Sequence, residues 1–489
     1  MRVKMVTTLP PITIRNITYH QLELKVVERF DSAGVGSGGG FSKITRGLSG
    51  LVSSNNTTPS VTQLVQKAES FTAEDVSVPI PSFCSQTTNI TVTAEGIIRL
   101  TFEAEGQRYR IDTPTASQRS TILTPLSPDP QHEFTGIYLR DSSFLAIYSS
   151  AKLDSWMSKL PSHLPISALS IPGTHNSPTY HKALPSVRCQ AVGVKFQLEN
   201  GVRFLDIRVQ PESHDDVSKD GLVLVHSAFP VALTGSRYFR DLVATVFAFL
   251  DANPTETVIV SVKREGIGKA TDQHLSKVLH EHYANDDRRW FTENRIPTLG
   301  EVRSKIVLLR RFGIDSSLQE KNNGQGWAMD GESWPDNCAD GLCTSGEIRV
   351  QDFYEVAYHQ NIGKKIEYCS DHLVRASKAT FQVPEDEEAA KGETAKRPIF
   401  MNFLSASNFW RANCWPDKVA AKVNPQMLDY LCRKHHNDVQ PTEDVQKEAQ
   451  ENVIGDGSTG VVVCDWVGHN GDWDLVRCIV GMNARLELR

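Results

Sequence analysis

The chain has 489 residues with 52 Lys+Arg against 58 Asp+Glu, a formal net charge of −6, 39% hydrophobic residues and 22% charged ones. That balance describes a water-soluble globular protein and, with no basic block, excludes one whose main partner is nucleic acid. The length alone suggests roughly two or three domains.

In chain order, the first thirty residues lack the apolar core of about 7–15 residues that a secretory signal requires, so no signal peptide is expected. From Ile12 to about Tyr148, alternating runs such as ITIRNITYHQLELKVVERF and ITVTAEGIIRLTFEA predict half-buried strands. An all-β, sandwich-like N-terminal domain over residues 1–150 follows, with no ligand or role assignable. The Gly/Ser-rich segment Ser32–Ser60 interrupts it as a flexible loop. Asn-x-Thr triplets at Asn16, Asn55, Asn56 and Asn89 read as chance matches. No apolar run approaches the roughly 18 residues of a membrane-spanning helix, so any membrane contact is peripheral and the location cytoplasmic or peripheral membrane.

From Leu164 onward, apolar strand-like runs alternate with segments of helical period, the pattern of a parallel α/β sheet. Eight runs can be counted: Ser167–Thr174, Arg203–Val209, Leu222–Ala228, Thr257–Glu265, Lys305–Phe312, Glu347–Tyr354, Pro398–Ala406 and Gly460–Gly468. Eight parallel strands close a (β/α)8 TIM-type barrel, expected here over residues 151–489. Phe239–Ala252, closed by Asn253-Pro254, and Asp417–His436 are two of its expected helices. Pro384–Lys396 and Gln440–Asn452 are charged, solvated loops. Cys338 and Cys343 are close enough in sequence to bridge, but nine cysteines in a chain of this length fit reduced thiols better than a disulfide framework.

The runs turn polar at their C-terminal ends, at His175, Asp206 with Arg208, His226, Lys263, Arg311, Asp352 with Tyr354, and Asp465. In a parallel barrel those ends converge on one face, where barrels keep their chemistry. Residues two apart on a strand share a face, so Phe204, Asp206 and Arg208 should point inward together, as should Ile259, Ser261 and Lys263. Two imidazoles with two fixed cations suit a phosphodiester. One histidine takes a proton, the other supplies one, and the cations stabilise the pentacoordinate oxyanion.

The segments PISALSIPGTHNS, GVRFLDIRV, LVLVHSAF, ANPTETVIVSVKRE, SKIVLLRRF, SWPDN, RVQDFYEV, MNFLSAS and VVVCDWV, in that order from about Leu153 to the C-terminus, resemble the X-domain of bacterial-type phosphatidylinositol-specific phospholipases C. The resemblance implies His175 as the base that takes the inositol 2-hydroxyl proton, oriented by Asp465, and His226 as the acid, oriented by Asp206. Arg208 would stabilise the phosphate where calcium-dependent animal relatives hold the metal. Lys263, Arg311 and Asp352 would bind inositol hydroxyls, and Tyr354 would stack on the ring. The implied products are diacylglycerol and inositol 1,2-cyclic phosphate, with no metal or other cofactor. Asn176 stands where the bacterial enzymes usually have Asp, and calcium-dependent relatives use Asn there as a ligand; it counts here among the substrate-binding candidates.

The implied partner is an inositol phospholipid at a membrane surface. Trp327, Trp334, Trp410, Trp415, Trp466 and Trp473 fall in loops or strand ends on the side of the site, and Phe409-Trp410 is the best candidate for insertion. Two other readings remain: a catalytically silent inositol-lipid-binding barrel, and a phosphodiesterase of the glycerophosphodiester or sphingomyelinase D type. The paired histidines argue against the first, and Arg208 against the second, which needs carboxylates for a divalent ion.

Overall fold

Alternation of apolar and polar side chains in the N-terminal part produces two five-stranded sheets. The computed structural model describes residues 9–31, 70–92, 97–113, 120–381, 397–436 and 456–487. Ser32–Ser60, with Asn55 and Asn56, and the charged loops Pro384–Lys396 and Gln440–Asn452 lie outside the described residues. The chain divides into two compact units, Met1–Ser150 with Cys432–Gln440, and Ala151–Leu431 with Pro441–Arg489.

In the first unit, Thr13–Ile17 runs parallel to Phe144–Ser149, so the two ends of the β-rich stretch lie side by side in one sheet. The other sheet is built on Leu22–Asp31, flanked by Ser70–Ile80 and by Ile97–Ala104, which pairs in turn with Gln107–Thr113. Ile14, Leu145 and Ile147 of the first sheet share one apolar core with Leu24, Leu100, Phe102 and Tyr109 of the second. The buried Arg15 donates to the carbonyl oxygens of Cys432 at 3.0 Å and His435 at 2.6 Å.

In the second unit, seven of the eight expected runs form one parallel sheet, in the order Ile306–Arg311, Val258–Arg264, Phe204–Pro211, Ile171–Thr174, Val461–Cys464, Ile399–Phe403, Ile348–Gln351. The eighth, Leu222–His226, pairs antiparallel with the end of Phe204–Pro211. The short strand Met329–Asp330 instead adds a parallel pair beside Ile306–Arg311. Ile171, Phe204, Ile259, Val307, Val350, Met401 and Val463 come from all seven strands, yet pack into a single core. A sheet whose first and last strands share one core is curled on itself. Among the described strands no ladder joins Met329–Asp330 to Ile348–Gln351, so the sheet is curled and partly closed.

The opposite face of the strands, including Leu205, Ile207, Val260, Val262 and Leu308, packs against helices. Helix Phe239–Ala252 buries Phe239, Leu242, Val243, Val246, Phe249 and Leu250, a stripe of helical period, and ends before Pro254, which cannot continue it. Helix Pro416–Arg433 opens on proline, whose missing N–H is unneeded in a first turn, and stops short of the expected His436. No disulfide joins Cys338 and Cys343, both free thiols.

Candidate active site

The inward parity of the strands carries the polar residues to one end of the curled core. Phe204, Ile259, Val307, Leu309 and Val350 lie inside. Asp206, Lys263, Arg311 and Asp352 continue the same faces toward the C-terminal ends. Past three of those ends the backbone turns sharply. Asn176, Ser227 and Trp466, which follow His175, His226 and Asp465, have φ of 41°, 53° and 54°. Non-glycine residues adopt this region at a cost, and such strain clusters at functional sites.

His175 and Asp465 meet across adjacent strands, the imidazole Nδ1–H donating to Asp465 Oδ1 at 2.9 Å. Burial is the largest influence on His175 and opposes its charge, but Asp465 and Cys189 together outweigh it and raise the imidazole well above its ordinary pKa. Asp465 is itself raised, burial exceeding the pull of His175. The Asn176 side-chain amide donates to His175 Nε2 at 3.1 Å, which leaves that nitrogen as the one with the lone pair. Gln190 Nε2 locks the strand ends by donating to the carbonyls of His175 at 2.7 Å and Cys464 at 3.0 Å.

His226 faces His175 edge-on, with ring centroids 6.0 Å apart. Its Nδ1–H donates to the Val187 carbonyl at 2.7 Å, so a loop carbonyl rather than Asp206 orients it. Asp206, fully buried, accepts from the Asn176 backbone N–H at 3.1 Å and from Arg208 Nη2 at 3.2 Å. Burial would raise its pKa, but Arg208 and Arg311 hold it well below the usual carboxylate range.

Arg208 also donates through Nη1 to Glu265 Oε1 at 2.6 Å. Glu265 further accepts from the Ser227 backbone N–H at 2.7 Å and lies 3.2 Å from Lys263 Nζ. Against burial, Arg208 and Lys263 lower its pKa to about 2. No role attaches to Glu265 in the sequence reading, although its place two residues beyond Lys263 puts it on the same face. Arg311 is buried over the Trp334 ring, 3.8 Å from its centroid, and makes only loose ion pairs with Asp206 at 3.5 Å and Asp352 at 3.7 Å. Its Nε and Nη1 have no hydrogen-bond partner, so the cation keeps donors for a ligand. Asp352 accepts from Trp334 Nε1 at 3.0 Å, and the Tyr354 hydroxyl donates to Asp336 at 3.0 Å. Arg208, Lys263 and Arg311 thus balance Asp206, Glu265 and Asp352 in one charge network.

The tryptophans separate. Trp327 and Trp473 are buried, and Trp334 packs on Phe403 and Arg311 inside the site. Trp466 lies under the Arg188 guanidinium. Of the six, Trp410 is the one that stands out, 88% exposed, beside Phe409, which stacks on Phe229 at 5.2 Å.

Fold and cluster together define an α/β protein with two facing histidines and a charge network at the carboxyl ends of a curled parallel sheet, the end at which parallel barrels carry their active sites. Residues 162–312 match the family described as phosphatidylinositol-specific phospholipase C, X domain. A 1-phosphatidylinositol phosphodiesterase of Staphylococcus aureus (strain Newman) is 26% identical over 346 residues, covering 68% of this chain and 94% of the relative. The enzyme of that name from Listeria monocytogenes is 34% identical over 172 residues, 33% of this chain and 50% of the relative. A crystal structure of phosphatidylinositol-specific phospholipase C from Staphylococcus aureus has 22% identity and a TM-score of 0.49, covering 68% of this chain and 97% of that one.

Proposed function

We propose that the chain is a metal-independent phosphatidylinositol-specific phospholipase C, cleaving phosphatidylinositol to diacylglycerol and inositol 1,2-cyclic phosphate. Residues 151–489 would be the catalytic domain, with the curled sheet as a (β/α)8-type barrel whose eighth parallel strand is Met329–Asp330, and residues 1–150 a separate β-rich domain. The observation that carries the reading is the pair of facing imidazoles 6.0 Å apart, each with its Nδ1–H tied to a fixed acceptor, Asp465 or the Val187 carbonyl. Each Nε2 is thereby left for proton transfer.

In this reading the inositol 2-hydroxyl replaces the Asn176 amide at His175 Nε2 and loses its proton there as its oxygen attacks phosphorus. The bond from phosphorus to the glycerol oxygen breaks, and His226 Nε2 protonates that oxygen. Arg208, pinned by Asp206 and Glu265, meets the developing charge with no reorganisation. Lys263, Arg311 and Asp352 hold the inositol hydroxyls, and Tyr354 offers its ring face. The lipid is reached by peripheral contact through the aromatic rim at Phe409 and Trp410. No helix among the described residues is long and apolar enough to cross a membrane.

Metal independence rests on the charge network. Calcium needs six to eight oxygens, several from carboxylates. Here Asp206 and Glu265 are already taken by Arg208, whose guanidinium would repel the ion. Release of diacylglycerol from phosphatidylinositol vesicles is expected to be unchanged by excess chelator and by added calcium. A several-fold loss with chelator, restored by calcium, would refute metal independence.

A further inference from the structure

We propose that His175, Cys189 and Asp465 form an inhibitory site for a thiophilic divalent cation of the zinc class. One ring nitrogen of His175, the Cys189 Sγ and one Asp465 carboxylate oxygen lie within 4.8 Å of one another. Ligand atoms around tetrahedral zinc stand about 3.3–3.8 Å apart, given Zn–S near 2.3 Å and Zn–N near 2.0–2.1 Å, so no pair of the three has to close by more than about 1.5 Å. Cys189 has no part in the proposed proton transfers, although its Sγ lies 3.9 Å from His226 Nδ1.

The three donors are held in place by the backbone. The Cys189 N–H donates to Thr179 Oγ1 at 3.1 Å, and its carbonyl accepts from the Trp466 N–H at 2.9 Å, next to Asp465. His175 N–H donates to the Cys464 carbonyl at 3.0 Å on the other side of Asp465. Asp465 Oδ2 is buried and has no hydrogen-bond partner, an acceptor that a cation would satisfy.

The chemistry selects the ion. A thiolate with an imidazole and one carboxylate suits zinc, cadmium or cobalt, whereas calcium and magnesium require more oxygens than the cluster holds. Binding displaces the thiol proton, the thiolate and carboxylate neutralise the ion, and a water completes four-coordination. Occupancy engages His175, so the ion competes with the base function. That consequence rests on the proposed reaction, whereas the binding itself does not.

The test uses the full chain with Co²⁺ as a spectroscopic probe and Zn²⁺ as competitor. Wild type should show a thiolate-to-cobalt charge-transfer band that Zn²⁺ abolishes. Cys189→Ser, or Cys189→Ala should the serine unfold the chain, should lose the band. The same variant should retain turnover without zinc and need at least about tenfold more Zn²⁺ for half-inhibition. The second metal-ligating cluster among the described residues, His20, Glu105 and His132, has no sulfur and cannot give that band. No Cys189-dependent band, or equal zinc sensitivity of wild type and an active Cys189 variant, overturns the proposal. A Cys189-dependent band in a chain inert toward phosphatidylinositol leaves the site standing and removes the proposed reaction instead.

Discussion

At His175, a partly buried imidazole beside the Asp465 carboxylate has its pKa raised, and this has a kinetic consequence. Only the neutral form can accept the 2-hydroxyl proton, so activity falls as pH drops through a pKa raised above the ordinary value of about 6.5. Asp465→Asn removes the charge that raises it. The acid limb of the kcat/KM profile should therefore move to lower pH while the plateau falls about 10- to 100-fold, the worth of a charge-assisted hydrogen bond of roughly 1.5–3 kcal/mol. An unshifted acid limb would show that another group sets it. The shared inward face of Asp206 and Arg208 was legible because alternate residues on a strand point the same way, whereas His175 and Asp465 stood out only as polar ends of apolar runs, their roles implied by the family resemblance. The Val187 carbonyl that orients His226, and the clamp by Gln190, were not legible, since both come from the loop after His175 and depend on its backbone path.

Strands and helices set these residues in place from their opposite ends. Arg203 opens the strand that carries Asp206 and Arg208, and is fully buried against Glu256 at 2.8 Å. Its guanidinium also donates to the carbonyls of Leu198, Val202, Leu153 and Asp154, and Glu256 accepts from the Met157 N–H. Removing one partner of such a pair leaves an uncompensated buried charge, so Glu256→Ala should lower unfolding stability by roughly 3–5 kcal/mol in denaturant titration. A change under about 1 kcal/mol would mean that the carbonyls alone satisfy Arg203. At this scale seven of eight parallel runs followed from apolar periodicity. Leu222–His226 did not, because a short apolar run carries no signal of strand direction, and its pairing with Val209–Pro211 is set by the reversal through Glu212–Gly221. The two-residue parallel pair at Met329–Asp330 is too brief for any period to announce.

Across the whole molecule, a net charge of −6 gives no general attraction to an anionic surface, which shifts the task of lipid contact to apolar side chains. Trp410 at 88% exposure and Phe409 beside it are large apolar groups left outside, in the loop beyond the strand Ile399–Phe403, and Phe229 after His226 stacks on Phe409. Joint Phe409→Ala and Trp410→Ala substitution should lower flotation with phosphatidylinositol-containing liposomes by about tenfold or more, since each buried aromatic contributes roughly 1.5–3 kcal/mol. Undiminished flotation would remove this rim as the contact. The sequence separated an N-terminal β-rich stretch from the parallel α/β part, but gave no sign that Cys432–Gln440 clusters with the former, a contact made through Arg15 to two carbonyls. The product itself is read by phosphorus NMR of wild type and His175→Ala acting on phosphatidylinositol. Wild type should give a five-membered cyclic phosphodiester as its first water-soluble product, formed about 10²- to 10⁴-fold more slowly by the variant. A wild-type reaction yielding no cyclic phosphodiester, or one unaffected by His175→Ala, would contradict the proposed reaction.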